Sequence, residues 1–95
     1  MDLSITNFIF IMFYVYVIQS LNRKIYYGST NDLVRRIKEH NSNKSYSTKG
    51  DTWELIYYEA YKHEADARVR EKQLKYHGQA WFHLKNRIKN SISKN

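Results

Sequence analysis

From Phe8 to Ile18 the chain reads FIFIMFYVYVI, eleven residues without a charge. No other stretch limits the fold as much. It falls well short of the ~18 residues a helix needs to cross a bilayer, and it has neither the basic lead-in nor the small-residue cleavage site of a secretory signal. Its aromatic and β-branched side chains suit a buried strand. The part from Phe13 to Gln19 is apolar on both alternating faces, so both faces need cover and the strand is expected at the centre of a sheet. The expectation is a soluble, cytoplasmic protein with no membrane partner.

The remaining elements follow in order. Residues 1–11 read as an N-terminal extension or an extension of the first strand, 12–92 as a single domain, and 93–95 as a frayed tail. Ser20–Arg23 supplies a turn, and Lys24–Tyr27 is the second strand of a hairpin. Gly28 is expected to break that strand, and Ser29, Thr30 and Asn31 offer N-cap oxygens for a helix starting near Asp32. In that helix Leu33, Val34 and Ile37 form an apolar arc. Arg36 and His40, four apart, share one face beside it.

Asn41–Thr52 is a polar loop carrying Lys44 and Lys49, readable as a basic flap or as plain surface. Trp53–Tyr61 is the third strand and Glu64–Tyr76 the second helix, stopped by Gly78. Gln79–Ile92 is a third helix whose Trp81, Leu84, Ile88 and Ile92 form a lid on the core.

A formal charge of +7 on 95 residues, with a pI near 9.7, points to a polyanionic partner, nucleic acid first. The absence of cysteine excludes disulfides, thiolate metal sites and thiol catalysis. Nothing in the pattern calls for a small-molecule cofactor.

Two tyrosines ten apart, Tyr16 and Tyr26, are followed ten residues later by Arg36 and one helical turn on by His40. Phenols, a guanidinium and an imidazole brought together would suit a phosphate. Glu71 falls between Ala67 and Leu74 on a partly buried helix face, where a carboxylate needs a cationic or metal partner. Arg35 and Lys38 point farther out and, with Lys44 and Lys49, are candidates for contact with a nucleic-acid backbone.

Taken together, these residues resemble the GIY-YIG nuclease family, small standalone single-domain type. The first namesake triplet stands as Tyr14-Val15-Tyr16 and the second as Tyr26-Tyr27-Gly28. The helix signature G-x-x-x-D-x-x-x-R-x-x-x-H is met by Gly28, Asp32, Arg36 and His40, and the family's acidic residue by Glu71 in ARVREKQLK. Tyr14 departs from the first triplet's glycine and Tyr27 from the second's isoleucine. The resemblance implies an α+β sandwich, a three-stranded antiparallel sheet flanked by three helices, that cuts DNA with Mg²⁺ or Mn²⁺. The site residues so implied are Tyr16, Tyr26, Arg36, His40 and Glu71.

The chemistry of the residues agrees. Glu71 can hold one hard cation as Lewis acid, and Arg36 can pair with the scissile phosphate as charge builds. Tyr26 is the favoured base, with Tyr16 orienting it; a free phenol has a pKa of about 10 and must be lowered to act near neutral pH. His40 is a phosphate contact, a sharer of protons or a structural residue. The expected activity is structure-guided or weakly selective DNA cleavage in repair or recombination. The alternative is a non-catalytic nucleic-acid-binding module of the same fold. A homodimer is one way to cut both strands.

Overall fold

The computed structural model describes residues 11–43 and 45–93. Nearly all of the expected extension at 1–11, the candidate phosphate contact Lys44 and the last two residues lie outside the described residues. The chain forms β1 (Phe13–Ser20), β2 (Ile25–Thr30), α1 (Leu33–Asn41), a 3₁₀ turn (Tyr46–Thr48), β3 (Trp53–Tyr61), α2 (Glu64–Tyr76) and α3 (Gly78–Arg87). The three strands make one antiparallel sheet in the order β2-β1-β3, so the apolar strand is central. The architecture is the α+β sandwich expected.

Alternation along β1 divides the molecule. Val15 and Val17 point to one face, where Ala67 and Leu74 of α2 and Leu84 of α3 close the main core with Trp81 and Ile88. Tyr16 and Ile18 point to the other, against Trp53, Leu33 and Ile37. A bulge keeps both faces filled: Val17 pairs with Tyr57 but Ile18 with Leu55, so the register slips by one residue at Ile56. Leu55 thereby joins the Tyr16 face while Ile56 and Tyr57 join the helix-covered one.

Four local expectations are corrected. Gly28 does not break β2, which continues to Thr30. It lies directly across from Tyr16, and a Cβ there would run into the Tyr16 hydroxyl and ring, reaching Cε1 at 2.8 Å. The glycine supplies space for a ring rather than a turn. Asp32, not the residues before it, caps α1 by accepting from the Arg35 amide at 3.1 Å. Val34 faces solvent, and His40 takes its place in the buried arc with Leu33 and Ile37. Gly78 does not stop α2; His77, in extended conformation, ends that helix and starts α3, of which Gly78 is the first residue.

The loop before β3 is anchored rather than free. Asn41 donates to the Trp53 carbonyl at 2.9 Å and accepts from its amide at 2.6 Å, while the Trp53 indole donates to the Thr48 carbonyl at 2.9 Å. Ser93 is tied to the Gln19 side chain through both its backbone groups. Among the described residues no helix is long and apolar enough to cross a membrane.

Packing of α2 yields a direct test. Leu74 is 2% exposed and Val69 56%, so Leu74→Ala is expected to cost about 2–4 kcal/mol and Val69→Ala within about 0.5 kcal/mol, read by urea unfolding. Equal losses would mean that α2 presents a different face to the sheet.

Candidate active site

The site begins at the Tyr16 hydroxyl. Its ring fills the space over Gly28, which carries the hydroxyl to α1, where His40 Nε2 meets it at 2.6 Å and the Arg36 guanidinium is near enough for its charge to act on it. The other imidazole nitrogen, Nδ1, lies 2.7 Å from Thr48 Oγ1, and Thr48 in turn donates to the Ser45 carbonyl at 3.4 Å. The far end of this chain sets its direction, because a carbonyl can only accept. Thr48 therefore donates to Ser45, Nδ1–H to Thr48, and Tyr16 to Nε2.

That order requires a neutral imidazole, and burial agrees. His40 has no exposed surface, and desolvation, helped by the positive Arg36 nearby, lowers its pKa from 6.5 to about 4. Burial also pushes Tyr16 up to about 12, against the downward pull of Arg36. His40 is thus enclosed, with both nitrogens engaged by protein groups. Of its three sequence-level roles, direct phosphate contact does not fit this placement.

Glu71 approaches from the other side of the edge strand β2. Odd and even residues of a strand face opposite ways, so Ser29 points toward α2 while Tyr26 and Gly28 point toward α1. Ser29 donates to Glu71 Oε1 at 2.6 Å, and Lys75 pairs with Oε2 at 2.7 Å. The Lys75 ammonium also stands 5.6 Å from the centre of the Tyr26 ring, and the Tyr26 and Tyr16 rings are 6.5 Å apart. Glu71 is near enough for its charge to act on Tyr16. The two phenols, Arg36 and Glu71 therefore gather around the β2 edge. Arg36 keeps one further partner, Glu39, at 3.2 Å.

The outlying cations separate from this cluster. Arg35 is solvent-facing and paired loosely with Asp32 and Glu39; with Lys38 it lines an open hollow of about 800 Å³ on the outer side of α1. Lys49 is exposed beside the 3₁₀ turn. A smaller recess of about 340 Å³ adjoins Glu71, lined by Ser29, Arg68, Lys72, Lys75 and Tyr76.

Three participants escaped the sequence reading. Thr48 sits in a loop without periodicity and gave no signal. Ser29 was assigned to capping, although strand parity places it opposite Tyr26. Lys75 had a signal, because it follows Glu71 by four residues on one helix.

As for a cation, among the described residues no three His, Cys, Asp or Glu side chains cluster tightly enough to cage one. Mg²⁺ keeps several waters and is commonly held by one or two carboxylates with substrate phosphate oxygens. Glu71, 18% exposed at the edge of an open recess, fits that mode.

Two measurements probe the Tyr16–His40 pair. Because the folded His40 pKa lies below the unfolded one, the unfolded chain takes up a proton first as pH falls from 6.5 toward 4. The stability held by neutral His40 is complete above that window and is lost within it, by up to about 3 kcal/mol. His40→Asn should remove this component from the pH dependence of urea unfolding. Gly28→Ala should cost about 1–3 kcal/mol by displacing the Tyr16 ring, and should shift the His40 imidazole NMR signals.

Residues 12–90 match the family model described as the GIY-YIG catalytic domain. The chain is similar to the UPF0213 protein CPE1444 of Clostridium perfringens (strain 13 / Type A), at 33% identity over 66 residues, 67% of this chain and 71% of that one. It is similar also to the UPF0213 protein HQ_3675A of Haloquadratum walsbyi (strain DSM 16790 / HBSQ001), at 33% identity over 64 residues, 65% and 72% of the two chains. No solved structure matches. With the domain match spanning nearly all the described fold, the chain belongs to the GIY-YIG family, a nuclease superfamily.

Proposed function

We propose that this protein is a divalent-metal-dependent endonuclease that hydrolyses DNA phosphodiester bonds, guided by DNA structure with little sequence selectivity, in repair or recombination. The observation that carries this reading is the gathering of Tyr16, Tyr26, Arg36 and Glu71 around one strand edge, with a buried chain of hydrogen bonds holding the Tyr16 hydroxyl beside Arg36. A binding module would not need all four together.

In this reading Tyr26 is the base. It is half-buried, with Lys75 and Arg36 in electrostatic reach, whereas the Tyr16 hydroxyl is enclosed between His40 and Arg36. Acting as a phenolate, Tyr26 takes a proton from water, the water oxygen forms a bond to phosphorus, and the P–O bond to the leaving sugar breaks, the sugar oxygen leaving as an alkoxide that takes a proton from solvent. Arg36 has donors beyond the one used by Glu39, and these stabilise the charge growing on the phosphoryl oxygens. Tyr16 stands beside Arg36, and His40 with Thr48 holds Tyr16 there. Glu71 would hold Mg²⁺ or Mn²⁺, which when bound supplies Lewis-acid stabilisation of the phosphoryl group and leaving oxygen.

Arg35 and Lys38, together with Lys44 and Lys49, serve as backbone contacts. Cations of this kind position a duplex without reading its bases. A substrate recognised by shape follows, and branched or nicked DNA of that kind arises in repair and recombination. A homodimer would present two such edges to the two strands.

The test is incubation with branched and nicked DNA, with Mg²⁺ or with chelator. Nicking is expected to need the metal, to fall by about 10²-fold or more in Arg36→Ala and Glu71→Ala, and to stay within a few-fold in Arg35→Ala. Cutting by the first two variants at the wild-type rate would remove the catalytic assignment. Metal-independent binding with no cutting of any substrate would instead favour the module.

A further inference from the structure

Two Glu–Lys/Arg pairs on α2 have the same i,i+4 spacing but different settings. Glu64–Arg68 is the ordinary kind: 3.6 Å, both side chains more than half exposed. Such pairs contribute little and exchange readily with water. Glu71–Lys75 is closer, 2.7 Å, and only 18% and 30% exposed. Its ammonium is also drawn over the Tyr26 ring at 5.6 Å, a cation–π placement that the exposed pair lacks. Ser29 takes Oε1, so both oxygens of the Glu71 carboxylate are engaged before any cation arrives.

We propose that Lys75 is an internal counter-ion seated where the divalent cation binds, so that metal binding at Glu71 is an exchange in which the ammonium leaves Oε2. This rests on the reading that Glu71 holds the metal. The physical reason is charge: a monovalent ammonium and a divalent cation cannot share one carboxylate oxygen without strong repulsion at such short range. Without the metal, Lys75 keeps a mostly buried carboxylate from standing unpaired. The recess lined by Arg68, Lys72 and Tyr76 gives the displaced side chain an open exit. The consequence is that the apparent metal affinity of the protein is set below what Glu71 alone would give.

The experiment measures Mn²⁺ binding to the full chain without DNA, by electron paramagnetic resonance of the free ion, for wild type, Lys75→Met, Lys72→Met and Glu71→Gln. Lys72 lines the same recess and controls for the loss of one positive charge. Lys75→Met is expected to bind about tenfold more tightly, Lys72→Met within about twofold of wild type, and Glu71→Gln to lose the site. In parallel, acetic anhydride labelling of the wild type, read by mass spectrometry, should modify Lys75 several-fold faster with saturating Mn²⁺ than without it. This arm decides the question even if Lys75→Met fails to fold.

Unchanged or weaker binding by Lys75→Met, or a labelling rate indifferent to Mn²⁺, overturns the exchange while leaving Glu71 as metal ligand, provided that Glu71→Gln has lost the site. Wild-type binding by Glu71→Gln overturns the metal assignment itself, and the exchange with it.

Discussion

The Tyr16 hydroxyl is the point through which the two halves of the site are joined. It belongs to the central strand, yet it hydrogen-bonds His40 of α1 at 2.6 Å and stands close to the Arg36 guanidinium. A buried phenol with no partner would destabilise the fold, and a buried imidazole with a free nitrogen would do the same. Each satisfies the other, and Thr48 completes the pair. Among the described residues no buried side-chain nitrogen or oxygen lacks a partner. The same hydrogen bonds that allow these groups to be buried also fix the phenol beside Arg36. Structure and function are therefore not separable at this position, and loss of activity in a His40 variant has to be judged beside its stability.

The position of β2 at the sheet edge accounts for the rest of the layout. A central strand would be walled off on each side by neighbours, and side chains from its two faces could not approach one another. At an edge, α1 on one face and α2 on the other can bring groups around the exposed side of the strand. Tyr26 and Gly28 serve the α1 side, and Ser29 reaches Glu71 on the α2 side. Even and odd positions of one strand thus feed two helices. Gly28 is needed in the middle because the Tyr16 ring crosses the strand there.

Elements whose physics is local were legible in the sequence. Trp53–Tyr61 and Glu64–Tyr76 have the bounds that composition and periodicity indicate, and the charge-free β1 is central because its two faces demand cover. What was not legible depends on contacts between distant segments. A glycine can supply backbone freedom or room, and only the cross-strand register with Tyr16 shows that Gly28 supplies room. Gly78 was misread for a similar reason, since His77 in extended conformation already ends α2. The burial of His40 had a partial signal, because Leu33, Ile37 and His40 fall at helical spacing. Val34 obscured it by offering a more apolar side chain for the same arc. Thr48 could not have been found, as a polar loop residue acquires meaning only when Trp53 and Asn41 pin the turn against α1.

Charge pairing shows how a strongly basic protein keeps a quiet centre. Both acids at the site have internal cations, Glu39 with Arg36 and Glu71 with Lys75, so these four charges nearly cancel. The excess of +7 over the whole chain lies with other side chains. Attraction to a polyanion is then supplied by the periphery, through long-range terms that salt screens. At the centre, short-range partner exchange takes over. Arg36 can add a phosphate without abandoning Glu39, because its donors are several and planar. Lys75 is a point charge on a flexible stem and has no such latitude at a 2.7 Å contact. In the proposed mechanism Arg36 and Lys75 therefore respond differently to an arriving ligand: one extends its contacts, and the other has to move.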